Sequence, residues 1–242
     1  MGHMEEVVED EVSAIVYYLP HHGVYRQESK TTPLRVVFNA SSITTSGESL
    51  NSLQLNGGVI QGYLFSILLN FRARKFAVTA DIKKMFRMIL IDESQRERER
   101  ELLRIVWKDK IDSPVKIFRL TTVTYGTKSA PYLATRSLKQ LVIDDSDKYP
   151  LAAEVIMSDV YMEDLTVADD LESGRKLQVQ LVSMLKGAGM ELHKWSASNP
   201  LLLSQTQCVK LRTSLILLQP RPRPLDSCGS YILILLLSRF LL

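Results

Sequence analysis

Cysteine is scarce in this sequence, and its scarcity argues against folds stabilised by disulfide bonds or by structural zinc. The chain of 242 residues has two cysteines, Cys208 and Cys228. It contains no Cys-x-x-Cys pair, and His21, His22 and Cys208 have no zinc-ligand spacing. A disulfide scaffold and a structural zinc site are therefore disfavoured, and a reducing compartment fits this cysteine usage.

From the sequence we expect no secretory leader and no long apolar run. Its first residues soon become acidic, whereas a signal peptide is basic and then apolar. The most apolar stretch, 231–242, is shorter than the roughly 20 residues of a membrane-spanning helix and contains Arg239. We expect no membrane segment and a cytoplasmic, intracellular protein.

Charge of one sign is nearly balanced by the other. Lys and Arg number 30 against 27 Asp and Glu, which gives a net charge of +3. The hydrophobic share of 45% is ordinary for a globular protein with a buried core. The small positive excess weakly favours a polyanionic partner.

The hydrophobic pattern predicts a mixed order of strands and helices. Strands are predicted at Leu34–Phe38, 75–81, 88–91, 102–107, Lys116–Leu120 and 190–195. Helices are predicted at 57–74, 128–143 and Leu171–Gly187, and a hairpin with arms at 154–160 and 165–168. This order indicates an α+β fold, an antiparallel sheet with helices on one face. After Asn199 the pattern loses its period, so we divide the chain into a domain at 1–199 and a divergent or out-of-frame tail at 200–242.

Two acidic positions suggest metal chemistry. Asp81 ends an apolar strand, where burying a charge is costly unless the charge is paired. Asp164 lies beside Glu163 in the predicted hairpin. Carboxylates of this kind bind two Mg²⁺ ions, which can activate a 3′ hydroxyl and stabilise a leaving pyrophosphate. The alternative is that Asp81 caps the next turn and that Glu163 and Asp164 only make the hairpin polar.

Five segments resemble polymerase motifs, and they occur in the expected order. Thr-Ala-Asp-Ile-Lys-Lys-Met-Phe at 79–86 resembles motif A, and Thr-Tyr-Gly-Thr-Lys-Ser-Ala-Pro at 124–131 resembles motif B. Tyr-Met-Glu-Asp at 161–164 resembles the Tyr-x-Asp-Asp of motif C, 189–195 resembles motif D, and 34–41 resembles the fingers motif. With Tyr-Leu-Pro-His-His at 18–22, residues 15–199 resemble the reverse transcriptases of BEL/Pao LTR retrotransposons.

This resemblance implies the fingers and palm of a right-hand polymerase. The function implied is an RNA-directed DNA polymerase domain of a retrotransposon polyprotein, which acts on an RNA or DNA template-primer and deoxynucleoside triphosphates. Mg²⁺ or Mn²⁺ is the implied cofactor, with Asp81, Glu163 and Asp164 as its ligands. Lys194 matches the motif D lysine that can deliver a proton to pyrophosphate.

The resemblance also implies a set of nucleotide-binding residues. Phe86 is the implied steric gate against a ribose 2′-OH, and Arg35 the implied triphosphate contact. Tyr125, Gly126 and Lys128 complete the set. Purely structural roles remain open for three of these residues. Phe86 could be a core residue, and Arg35 or Lys128 could be a solvated side chain.

Some positions depart from the family pattern. Glu163 stands where motif C has Asp, and its extra methylene displaces the carboxylate; a shift of about 1 Å can cost on the order of a hundredfold in rate. No thumb is recognisable, so we expect a weak grip on the duplex. We expect residues 96–101, which alternate Arg and Glu, to form a solvated turn or helix start.

Two alternatives to an active polymerase follow. One is a catalytically dead, nucleic-acid-binding relic of such a polymerase, which Glu163 favours. The other is an RNase H-like nuclease, which also clusters acidic residues around metals. The predicted hairpin at 161–164 and the loop at 126–131 have no role in nuclease chemistry, so the polymerase is preferred.

Overall fold

The computed structural model describes residues 2–7, 15–27, 33–60, 62, 65–67, 69, 74–92, 99–158 and 170–203. They form a mixed α+β structure with antiparallel sheets and helices. Two compact units are present. Unit 1 draws on 1–61, 82–145 and 186–190, and unit 2 on 62–81, 146–185 and the described residues from 191 to 203.

Unit 1 contains a three-stranded sheet and a two-stranded hairpin. The sheet has the order β1 (Met4–Glu6), β6 (Lys116–Leu120), β5 (Arg104–Trp107), and both of its pairings are antiparallel. The hairpin pairs β2 (His21–Tyr25) with β3 (Leu34–Phe38), with His21 opposite Phe38. The predicted strands at Leu34–Phe38 and Lys116–Leu120 are therefore confirmed.

The apolar core of unit 1 follows from alternation along these strands. In β3 the inward face carries Val36 and Phe38, while Arg35 and Val37 are exposed. The buried cluster consists of Leu19, Phe38, Ala40, Leu50, Leu103, Ile105 and Leu120. This cluster joins the hairpin to the three-stranded sheet.

Short and long helices complete unit 1. The single turn α1 (Leu50–Leu53) begins at Ser49, which accepts from the Ser52 N–H in a capping box. Helix α2 (Ala130–Asp145) buries Ala134, Leu138 and Val142, spaced at one turn. The helix predicted at 128–143 is confirmed.

The described residues of unit 2 include a strand pair and two helices of nine or more residues. Strand β4 (Val78–Ile82) pairs with β7 (Leu192–Ala197), and α3 (Pro150–Ser158) precedes α4 (Leu171–Gly187). The buried cluster on the strand pair consists of Val78, Ala80, Trp195, Ala197 and Leu202. The predictions of α4, of a strand ending near Asp81 and of a strand near Trp195 are confirmed.

The first arm of the predicted hairpin is wrong. Residues 154–158 belong to helix α3, not to a strand. The apolar side chains of Ala152, Ala153, Val155 and Ile156 are buried at helical spacing. The Gln180 side-chain oxygen also accepts from the N–H groups of Leu151 and Ala152, which satisfies the start of the helix.

Three further predictions differ from the structure in whole or in part. The strand predicted at 88–91 is absent, because Met85–Met88 form a 3-10 helix and Leu90 makes a single bridge to Thr122. The Arg-Glu alternation is not solvated throughout: Arg100 and Glu101 are buried in the 3-10 helix Arg100–Leu103. Of the helix predicted at 57–74, residues 65–67 and 69 are helical and 57–60 are not.

No helix among the described residues has both the length and the apolar character needed to cross a membrane.

Candidate functional site

Asp81 lies on the outward face of β4. Val78, Ala80 and Ile82 alternate inward and are buried, so the residues between them face the other way. The Asp81 side chain is 22% exposed. A carboxylate held on the outer face of a strand of unit 2 is thus available to a cation.

Lys194 is the cation that reaches it in this structure. The Lys194 Nζ lies 2.5 Å from Asp81 Oδ2, although the two residues are 113 positions apart. The Ser198 N–H donates to the Ala77 carbonyl at the other end of the pair, so β4 and β7 run in opposite directions. The sequence named both residues as catalytic candidates, and the fold places them in one ion pair.

Lys194 adopts a backbone conformation that lysine seldom takes. Its φ is +52° within strand β7, in the left-handed region. The next residue, Trp195, is buried in the core of unit 2. The buried Trp195 ring therefore anchors the strand beside the left-handed lysine.

The remaining acidic candidates, Glu163 and Asp164, lie outside the described residues. Within the described ranges, no group of three or more His, Cys, Asp or Glu side chains is placed to hold a metal ion. Asp81 offers one carboxylate, whose hard oxygen suits Mg²⁺ or Mn²⁺. The donor type at Asp81 fits such an ion, and Glu163 and Asp164 remain predictions as its further ligands.

The loop before α2 holds three of the nucleotide-binding candidates and is fixed to β3. The Tyr125 hydroxyl donates to the Val36 carbonyl at 2.8 Å, and its ring lies 5.2 Å from that of Phe38. Gly126 has a φ of +91°, and a Cβ there would lie 2.5 Å from the Phe38 carbonyl oxygen. Glycine is therefore required at this position because the loop backbone passes close to the backbone of β3.

Asn51 of α1, which was not predicted from the sequence, forms hydrogen bonds with the same loop. Its side-chain Nδ2 donates to the Gly126 carbonyl at 3.1 Å and to Ser41 Oγ at 2.8 Å. Its Oδ1 accepts from the Lys128 N–H at 2.7 Å. Hydrophobic periodicity carries no signal for such contacts, and the only hint in the sequence is an amide in a turn-rich stretch.

Arg87 is a second residue without a motif assignment. Its guanidinium donates to the Tyr125 hydroxyl at 3.2 Å and lies 5.6 Å from the ring centre. Burial lowers the pKa of His3 below its usual 6.5, and the charges of Arg87 and Lys84 lower it further. His3 is therefore neutral near pH 7, and Arg87 and Lys84 make its surroundings positive.

The other candidates of unit 1 occupy different parts of it. Arg35 is exposed on β3, on the face opposite Phe38, and Lys128 is exposed at the end of the loop. Phe86 is half-buried in the 3-10 helix Met85–Met88. The first two side chains point into solvent, whereas the Phe86 ring is partly covered.

The sequence matches no protein-family model and no curated protein.

Proposed function

We propose that this chain is the fingers and palm of a retrotransposon reverse transcriptase, an RNA-directed DNA polymerase of the BEL/Pao type. The observation that carries the proposal is the pairing of Asp81 with Lys194. These residues come from the segments that resemble motifs A and D, and a polymerase needs both beside one reaction centre. The proposal rests on the motifs and on this pairing.

The roles of the residues follow from the chemistry at each position. Asp81, with Glu163 and Asp164, holds the divalent cations, which when bound activate the primer hydroxyl and stabilise the leaving pyrophosphate. Lys194 carries a proton at Nζ, which suits it to protonate pyrophosphate oxygen. Holding that proton against Asp81 also keeps the ammonium in place before the substrates arrive.

The nucleotide-binding candidates lie in unit 1. The exposed Arg35 guanidinium matches the forked geometry of phosphate oxygens. Phe86 acts as the ring that excludes a 2′-OH, and the loop from Tyr125 to Lys128 forms a rigid floor for the nucleotide. The contacts of Tyr125, Gly126 and Asn51 within unit 1 supply that rigidity.

Primer extension on an RNA template with Mg²⁺ or Mn²⁺ tests the proposal. We expect extension by the full chain and its loss in Asp81→Asn, which keeps the size of the side chain and removes its charge. Asp144→Asn is the matched control, because Asp144 is an exposed carboxylate on α2 that accepts from Gln140. Extension that survives Asp81→Asn contradicts the proposal.

A nucleic-acid-binding relic is the second candidate, and Glu163 is the observation that favours it. If the full chain binds template-primer but does not extend it, Glu163→Asp distinguishes the two readings. Restored extension assigns the defect to the longer carboxylate, whose misplacement by about 1 Å can cost on the order of a hundredfold. Binding with no extension in either form establishes the relic.

A further inference from the structure

The loop at 124–129 is held from within by Thr127 and from outside by Asn51 and Gln54, which belong to none of the five motifs. The Thr127 N–H donates to the Thr124 carbonyl, and the Thr127 hydroxyl donates to the same oxygen at 2.7 Å. The Gln54 oxygen accepts from the Ser129 N–H at 3.2 Å. The turn is therefore closed from within and also tied to α1.

Asn51 makes the central tie, and it uses both ends of its amide. One amide group donates to the Gly126 carbonyl and accepts from the Lys128 N–H, so it bridges two backbone groups that flank Thr127. A carboxamide offers its donor and its acceptor on two separate atoms, so it can meet an N–H and a carbonyl at once. Alanine offers neither, and aspartate offers only acceptors at neutral pH.

Asn51 is itself held in place by its backbone. Its N–H donates to the Ala40 carbonyl at 2.9 Å, at the end of β3. Its Nδ2 also donates to Ser41 Oγ. The Asn51 side chain is thus held in its orientation by contacts outside the loop, so its hydrogen bonds to Gly126 and Lys128 form a preorganised support.

We infer that Asn51 is a positioning residue that sets the nucleotide-binding conformation of the loop at 125–128. The inference rests on the proposed function, because it takes that loop to face the deoxynucleoside triphosphate. Asn51 does not touch the nucleotide. It fixes the backbone of Gly126 and Lys128, so the exposed Lys128 side chain leaves the protein surface in one direction.

The test measures nucleotide affinity separately from stability. The full chain, loaded with an RNA–DNA template-primer and MnCl₂, is titrated with a fluorescent N-methylanthraniloyl dATP. We expect Asn51→Ala to weaken the Kd about tenfold, since both loop hydrogen bonds are lost. Asn51→Asp should weaken it less, since its carboxylate still accepts from the Lys128 N–H and opposes only the Gly126 carbonyl. The urea midpoints of both variants should stay near that of the unchanged chain, because the loop contacts lie outside the apolar core.

Two measurements complete the design. Gln140→Ala removes another exposed amide, one that donates to Asp144 within α2, and should leave the Kd unchanged. Hydrogen exchange at the Lys128 amide should be slow in the unchanged chain and fast in Asn51→Ala.

The outcomes separate the two proposals. An unchanged Kd in Asn51→Ala, or a weaker Kd that merely follows a lower urea midpoint, overturns the positioning role and leaves the polymerase proposal intact. If the chain binds template-primer but shows no dATP binding at all, the proposed nucleotide site is refuted. The positioning role of Asn51 is then refuted as well. A tenfold loss with faster exchange at Lys128 supports both.

Discussion

At the scale of single residues, Gly126 carries the tightest steric constraint in the loop before α2. Its φ of +91° lies in a region that residues with a Cβ rarely adopt. A Cβ would also lie 2.5 Å from the Phe38 carbonyl, which is backbone and cannot rotate away. Two separate penalties therefore act on any substitution there.

Gly126→Ala should destabilise unit 1 by about 2–4 kcal/mol, from left-handed strain and overpacking together. Gly189→Ala is the matched control, since Gly189 has a φ of +75° but nothing within 4 Å of the added Cβ. It should cost only about 1–2 kcal/mol, the strain alone. Equal losses in urea unfolding would show that Phe38 moves aside without cost.

Residue identity in the candidate site was predictable only where a motif carried it. Asp81 and Lys194 were named from the sequence, but their ion pair depends on two strands meeting across 113 positions. Asn51 could not be named, because its contact with Gly126 spans 75 positions and involves backbone atoms. Neither propensity nor periodicity encodes the place where a polar side chain meets a distant turn.

At the scale of elements, helix α4 shows how one carboxylate organises a helix start. Asp170 accepts from the N–H groups of Glu172 and Ser173, both at 2.9 Å, and from the Ser173 hydroxyl at 2.7 Å. The Ser173 N–H bond, the Ser173 hydroxyl bond and the Glu172 N–H bond hold the pKa of the Asp170 carboxyl below its usual 3.8. The ionised form is therefore the one that stabilises the helix.

Asp170→Ala should lower the urea midpoint at neutral pH. Because the folded-state pKa is depressed, this stabilisation is complete above the usual value of 3.8 and is lost as pH falls through the lower folded value. The deficit of Asp170→Ala should consequently shrink below that pH. Asp170→Asn, which keeps an acceptor but cannot titrate, should remove the pH dependence and retain part of the cap.

Helices α3 and α4 also show why one element was predicted wrongly and its neighbour correctly. The 17 residues of α4 give several turns of consistent apolar spacing. In the 9 residues of α3, Val155 and Ile156 favour a strand by propensity. The Gln180 oxygen, which accepts from the first N–H groups of α3, acts from another element and is invisible in the local sequence.

The sheet of unit 1 contains a second element-scale feature, a buried cluster of charges. Glu101 is 3% exposed and pairs with Arg104 and Arg119, while Glu5 of β1 accepts from Arg100 at 2.9 Å and from Arg119 at 2.8 Å. Burial alone would lower the pKa of Arg119, but the bonds to Glu101 and Glu5 outweigh it and raise that pKa. The cluster ties β1 to β6 and to the 3-10 helix before β5.

Glu101→Gln should destabilise the fold by about 3–5 kcal/mol, because it takes the charged partner from the buried Arg104 guanidinium and one of the carboxylates from Arg119. Glu6→Gln is the control: Glu6 lies 3.8 Å from Lys116 on the surface, and its loss should cost no more than about 1 kcal/mol. Urea unfolding of the two variants checks the contrast. A small effect at Glu101 contradicts the view that its charge compensates the arginines.

At the scale of the whole molecule, the fold class could be predicted from the sequence, but the division into two units could not. Runs rich in β-branched and aromatic residues at Leu34–Phe38 and Lys116–Leu120 predicted the bounds of two strands. The chain, however, passes between the units more than once, with 62–81 and 146–185 in unit 2 and 82–145 in unit 1. A division based on changes of composition finds boundaries only along the chain, so the boundary at 199 stays a prediction, and Leu202 beyond it packs in the core of unit 2.

The buried charge cluster has a consequence for how the protein responds to its solvent. Mobile ions screen exposed charges over about 3 Å at 1 M salt, but they screen the buried side chains of Arg100, Glu101 and Arg104 much less. Under the proposed function, attraction to nucleic-acid phosphate depends on exposed cations such as Arg35 and Lys128 and weakens steeply with salt. We therefore expect concentrated salt to release the proposed template-primer while the sheet that Glu101 and Arg119 help to stabilise stays folded.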